Sequence, residues 1–187
     1  MDVIRPLTED DMVRAWVEAE RESPRHRDDW QRMGLGAVPL AAASRRGALG
    51  MMRGFPDRFV FTGLPLPMEW SLVRVTVEEL GGFRYLNYPP TFVALSEGTR
   101  LIRDGAANVG RVEVAEELDE RVRQTEASVA AGQIHEPLIA VTSPREPTPI
   151  LIEGNTRATA YLRCRQPDES IELILGTADD LSGWEFV

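Results

Sequence analysis

The sequence predicts an α/β (α+β) fold, a small mixed sheet with flanking helices preceded by a helical N-terminal region. Two observations carry this expectation. From Trp70 onward, apolar runs of strand length alternate with segments of helical period, in the order strand, helices, strand, strand, helix, strand. Before that, apolar residues recur at helical spacing around Trp16 and then give way to a glycine-rich stretch. The expected division is therefore a helical region over 1–68 packed on a sheet-bearing domain over 69–187. No internal repeat or low-complexity tract interrupts either part.

Thr8 is placed to cap a first helix, with Glu9, Asp10 and Asp11 in the turn where the helix dipole favours negative charge. Met12, Val13, Trp16 and Val17 share one face, and Pro24 ends the helix near Ser23. A second, more polar helix is expected from His26 to Met33 around Trp30. From Gly34 to Pro67 six glycines break every period; Phe59, Val60 and Phe61 suggest one short strand. This segment has the composition of a lid, a dimer surface or a specificity segment.

The later elements are clearer. Val73, Val75 and Val77 alternate with Arg74 and Thr76, as a half-buried strand requires. Glu78, Glu79 and Leu80 form one helical turn before Gly81-Gly82. After Pro89-Pro90 a helix with Phe92, Leu95 and Ile102 inward is expected, weakened by Gly98. The strongest helical period runs from Val112 to Ala131 through Val114, Leu118, Val122 and Val129, with Gly132 at the C-terminal glycine position. Strands Pro137–Val141 and Ile150–Glu153, a helix from Thr156 to Arg163 and a last strand Ile171–Leu175 complete the chain.

Composition narrows the chemistry. All 21 basic residues are arginine, the bias expected of a bacterial, high-GC genome. A Walker-type phosphate loop, a Schiff-base enzyme and a Ser-Lys hydrolase each need a lysine amine, so none can be built from this chain. The net charge of -9 repels polyanions and disfavours nucleic acid as a partner. Arginines do cluster at Arg21, Arg25, Arg27 and Arg32 and again at Arg45, Arg46, Arg53 and Arg58. His26, His135 and Cys164 are too few and too scattered for a structural zinc site, so any metal would be a hard ion such as magnesium. No apolar run reaches the length of a membrane span, and MDVIRPLTEDDM lacks the features of a secretory signal. A cytoplasmic protein is expected, and homo-oligomers are compatible with the sequence.

The stretch PILIEGNTRATAYLR, Pro149 to Arg163, concentrates the chemistry. Gly154 lets the backbone turn sharply between strand and helix, and Asn155 or Thr156 can cap the helix that begins there. The free N–H groups of a helix N-terminus suit an anion, and Arg157 adds a planar fork that fits phosphate. The alternative is a plain helix cap in which Arg157 pairs with a neighbouring carboxylate.

Together with the preceding glycine-ended helix, the run Pro-Leu-Ile-Ala-Val and the proline-rich hairpin, this box resembles the core of the ParB/sulfiredoxin superfamily. The resemblance covers roughly Leu72 to Leu175, and its specific part is Gln133 to Leu162. It implies a nucleotide site, because members bind ATP, ADP or CTP phosphates at an acidic-Gly-x-x-Arg box and include free-serine phosphotransferases, sulfinic acid reductases and partition CTPases. Gly154 and Arg157 match the shared pattern; Asn155 and Thr156 do not. A sulfiredoxin needs a cysteine in the box, the serine kinases resemble Gly-His-His-Arg there, and the CTPases carry a second arginine where this chain has Thr159.

The resemblance thus implies a nucleotide-binding protein with Gly154, Asn155, Thr156 and Arg157 at ATP or another purine nucleotide, with magnesium as a compatible ion. The expected activity is phosphoryl transfer to a small hydroxyl metabolite or amino acid. Catalytic candidates are Glu153, next to the box, and Glu78 and Glu79, which follow the first strand where the kinases of this superfamily place their glutamate. His135-Glu136 is a further candidate pair. The alternatives are a nucleotide-sensing or protein-interaction module without turnover and a ParB-like DNA-associated protein.

Overall fold

A computed structural model of the chain describes residues 1–22, 30, 40–113 and 116–187. Its centre is a six-stranded mixed sheet in the order β1-β2-β6-β4-β5-β3. The strands are β1 (Asp2–Leu7), β2 (Glu69–Thr76), β3 (Arg84–Tyr85), β4 (Leu138–Thr142), β5 (Ile150–Glu153) and β6 (Ser170–Thr177). The helices are α1 (Glu9–Glu22), α2 (Ala42–Arg53), α3 (Val77–Gly81), α4 (Pro90–Leu95), α5 (Ile102–Asn108), α6 (Glu116–Ala130) and α7 (Asn155–Cys164). β4 lies parallel to β6 and antiparallel to β5, so the middle of the sheet is mixed. The α/β class read from the sequence is the class observed.

Both faces of the central strands are covered. Ile139, Val141, Ile150, Ile152 and Ile174 point into one core with Trp16 of α1, Leu49 of α2 and Trp184. Leu138, Ala140, Leu151, Leu173 and Leu175 point into the other with Leu118 and Val122 of α6 and Ala158 and Ala160 of α7. Burial on both sides is why PLIAV and ILIE are unbroken apolar runs, whereas β2, nearer the edge, alternates.

The α1–α2 layer is stitched by the second arginine cluster. Arg45 reaches Asp10 at 3.0 Å and Arg46 reaches Glu9 at 2.6 Å, while Arg53 pairs with Glu20. These are ion pairs between two helices rather than a cationic patch. Thr8 caps α1 as expected, its Oγ1 accepting from Asp11 N at 3.2 Å.

Several expectations are corrected. The N-terminal region is not purely helical: it opens with β1, which pairs antiparallel with β2. Its side chains are mostly exposed and Pro6 sits in it, as an edge strand tolerates, so it has no buried alternation to read. Phe59–Phe61 is a 3₁₀ turn instead of a strand; Phe59 has φ +50°, which no extended strand can contain. The helix expected from Phe92 through Ile102 is two helices, separated by left-handed Glu97, Gly98 and Arg100. The strand Arg84–Tyr85 was invisible because two residues carry no period. The expected helix His26–Met33 lies outside the described residues apart from Trp30, which is buried and donates its Nε1 to Glu20 O at 3.2 Å. Val114 is likewise outside them.

Two close approaches depend on missing side chains. Gly176 faces Trp70 across the β2–β6 ladder, where a Cβ would lie 2.7 Å from the indole. Gly105 of α5 lies against the Tyr85 ring, where a Cβ would lie 2.5 Å from the hydroxyl and 2.6 Å from Cε2. Gly105→Ala is therefore expected to destabilise the fold by about 1–3 kcal/mol through overpacking, although alanine is the better helix former. Urea denaturation would show a lower midpoint with an unchanged slope, and Tyr85→Phe added to it would not restore stability because the ring carbons still collide. An unchanged midpoint in Gly105→Ala would contradict this packing.

Candidate functional site

β5 ends at Glu153, and Gly154, with φ +93°, turns the chain into α7. Gly154 itself is the N-cap and no side chain caps the helix, which corrects the expectation that Asn155 or Thr156 does so. The first intrahelical bond runs from Ala158 N to Gly154 O at 2.8 Å, so the N–H groups of Asn155, Thr156 and Arg157 have no acceptor within the helix. Asn155 Oδ1 is buried and has no hydrogen-bond partner among the described residues. Glycine is required at 154 for two reasons. An L side chain rarely adopts that φ, and a Cβ would come within 2.4 Å of Leu138 Cδ2.

Behind the junction lies a buried polar chain. Thr159, fully buried, donates Oγ1 to Asn155 O at 2.8 Å and shares a 2.8 Å hydrogen bond with the Tyr85 hydroxyl. Burial pushes the Tyr85 ionisation far above its ordinary value, outweighing the Thr159 bond, so the phenol stays neutral. Position 159 is thus part of the core, and threonine fits it.

Arg157 is partly buried and held by two acceptors: Glu153 Oε1 at 3.1 Å and the Glu136 carbonyl. A guanidinium carries more N–H donors than these bonds use. Pairing with a neighbouring carboxylate, the alternative reading of the sequence, is what Arg157 does; the pair also fixes the guanidinium at the helix start.

The junction opens on a cavity of about 880 Å³. Glu153, Gly154, Asn155, Thr156 and Arg157 line it, so these five predicted site residues are brought together. Other parts of its wall include Trp16 and Glu20 of α1, Arg53 of α2, Phe59, Tyr88, Arg121 of α6 and Phe186 near the C-terminus. The segment 34–67 thus supplies one wall through Met52, Arg53, Phe59 and Val60. Among the described residues of the lining, three arginines, Arg53, Arg121 and Arg157, stand beside two glutamates, Glu20 and Glu153.

Glu20 is 2% exposed and accepts from Trp16 Nε1 at 3.3 Å and from Arg53 Nε. Burial would lower the Arg53 value, but the charge and hydrogen bond of Glu20 outweigh it and raise it, keeping the guanidinium protonated. The spacing Trp16-Glu20, one acid on the apolar stripe of α1, was the available signal for this residue. No comparable sequence pattern marks Phe59, Tyr88 or Phe186.

Glu78 and Glu79 are elsewhere. Both are exposed residues of α3 and neither lines the cavity. Glu79 closes a capping box with Thr76. Its carboxyl is held below the ordinary value, first by a hydrogen bond from the Met1 amine and then by the Thr76 backbone, which makes it a weaker base. His135 and Glu136 point apart: His135 lines the cavity, its Nε2 2.9 Å from Ser128 Oγ, whereas Glu136 lines a smaller cavity of about 310 Å³ with Arg5, Asp11 and Arg14.

Among the described residues no three His, Cys, Asp or Glu side chains are grouped as a metal site, and no helix is long and apolar enough to cross a membrane. Comparison of the chain with protein-family models, curated proteins and solved structures gives no match.

Gly154→Ala is expected to destabilise the protein by about 1–2 kcal/mol for the left-handed backbone alone, with the Leu138 contact adding to it. Thermal denaturation measures this; a melting temperature equal to that of the parent protein would mean that the junction relaxes freely.

Proposed function

We propose that the protein binds a nucleotide, ATP or another purine nucleotide, with its phosphates at the N-terminus of α7. The observation that carries this is the partly aromatic cavity, with arginines in its wall, onto which Gly154 and the start of α7 open. N–H groups at a helix start that have no acceptor within the helix, a fixed guanidinium beside them and apolar walls for a ring together match the needs of a phosphate ester of a planar base. The ParB/sulfiredoxin resemblance of the Glu153-Gly154-Asn155-Thr156-Arg157 box supports the same ligand class. Magnesium arriving with the phosphates needs one or two protein carboxylates; Glu153, whose Oε1 is shared with Arg157, is more accessible for that than the buried Glu20, which is held by Trp16 and Arg53.

Phosphoryl transfer to a small hydroxyl acceptor is the second reading. It rests on Glu153, the predicted catalytic acid that lines the cavity. A carboxylate there can orient or deprotonate an acceptor hydroxyl once the phosphates are held. Glu78 and Glu79 lie outside the cavity, so binding without turnover remains the competing outcome.

Titration with ATP, ADP, CTP and GTP, with and without magnesium, is expected to raise the melting temperature for at least one purine nucleotide. Arg157→Ala should weaken that binding about 10-fold or more, the loss of one charge-assisted hydrogen bond. No shift with any of the four would remove the nucleotide reading. Incubation with ATP and hydroxyl metabolites, serine first, tests the second: steady ADP or AMP release lost in Glu153→Gln favours transfer, and binding without release favours a sensor.

A further inference from the structure

Phe59 combines two costly features. Its backbone is left-handed, φ +50°, which a bulky aromatic residue seldom adopts, and the residue is 65% exposed. The adjacent turn has a structural purpose, since Phe61 is buried against Trp16 and Phe55 with ring centroids 5.0 and 5.1 Å away. That purpose needs a left-handed residue at 59; it does not need an aromatic one, and asparagine or glycine would supply the conformation at less cost. The surroundings also make room for the ring. A Cβ at Gly54 would stand 2.7 Å from Phe59 Cδ2 and 2.4 Å from the Arg58 carbonyl.

Phe59 lines the cavity, and so does Tyr88, which is 60% exposed. Phe186 backs Tyr88, ring centroids 6.3 Å apart, and is itself packed on Trp184 at 5.9 Å. Exposed aromatic rings at the rim of a cavity whose lining also holds Arg53, Arg121 and Arg157 fit a ligand that is planar and aromatic at one end and anionic at the other.

We propose that Phe59 and Tyr88 form an aromatic clamp that stacks on the planar base of the nucleotide whose phosphates rest at the α7 N-terminus. This deepens the nucleotide reading and rests on it. The clamp supplies affinity for the base through its faces, and Phe59 retains an unfavourable backbone because the ring is needed at that point. It also joins the N-terminal layer to ligand recognition, since Phe59 follows α2 while Arg157 belongs to α7.

The test is calorimetric titration of ATP and of inorganic tripolyphosphate into the full chain, its Phe59→Asn and Phe59→Gly variants and Tyr88→Ala. Asparagine and glycine both accept the left-handed backbone, so the fold is retained, as melting temperatures no lower than that of the parent would show. Removing one stacking ring should lower ATP affinity about 10-fold and leave tripolyphosphate affinity unchanged. Equal ATP affinity in the parent and the Phe59 variants would overturn the clamp while leaving the phosphate site standing. Equal losses for ATP and tripolyphosphate would also overturn it, because the ring would then not be acting on a base. Failure of the parent protein to bind tripolyphosphate or any of ATP, ADP, CTP and GTP would remove the clamp and the nucleotide reading together.

Discussion

β4 and β5 are buried on both faces, and most of this architecture follows from that constraint. A strand with apolar side chains on each side is stable only between two helical layers. α1 and α2 cover Ile139, Val141, Ile150 and Ile152, and α6 and α7 cover Leu138, Ala140 and Leu151. The N-terminal segment is therefore a layer of the same sandwich. Its aromatic residues, Trp16, Phe55 and Phe61, share a core with the sheet residues and with Leu181 and Trp184 from the end of the chain.

The position of the cavity follows from the same layering. The cavity lies beyond the carboxyl end of β5, where Gly154 turns the chain into α7. α1 and α2 form one wall and α6 and the start of α7 form another. The junction between them is rigid: Gly154 packs on Leu138, Arg157 ties it to Glu153 and the Glu136 carbonyl, and Thr159 and Tyr85 hold Asn155 from behind. A site of this kind presents backbone N–H groups in fixed directions, which is how a neutral backbone becomes an anion receptor.

The electrostatics are local. Excess negative charge over the whole molecule repels polyanions at long range, yet the cavity wall carries Arg53, Arg121 and Arg157. The ion pairs Arg53–Glu20 and Arg157–Glu153 place one charged couple on each wall. In each couple the acid fixes the guanidinium.

The sequence by itself determined the fold class, the strands β2, β4, β5 and β6, the helices α1, α6 and α7, and the Glu153–Arg157 box, because each is written in local period or in a contiguous motif. The edge strand β1 and the two-residue β3 left no period to read, and the strand expected at Phe59–Phe61 failed because burial of Phe61 requires a turn that alternation cannot express. Only the tertiary structure decided which acids share the site. Glu78 and Glu79 stand in sequence where a catalytic pair is expected, but α3 carries them away from the cavity. Glu20, Arg53, Phe59, Tyr88 and Phe186 come from four separate segments and meet there through long-range packing of the two layers on one sheet. Local residue pattern fixes what each segment is, and the burial of both sheet faces fixes which segments face one another.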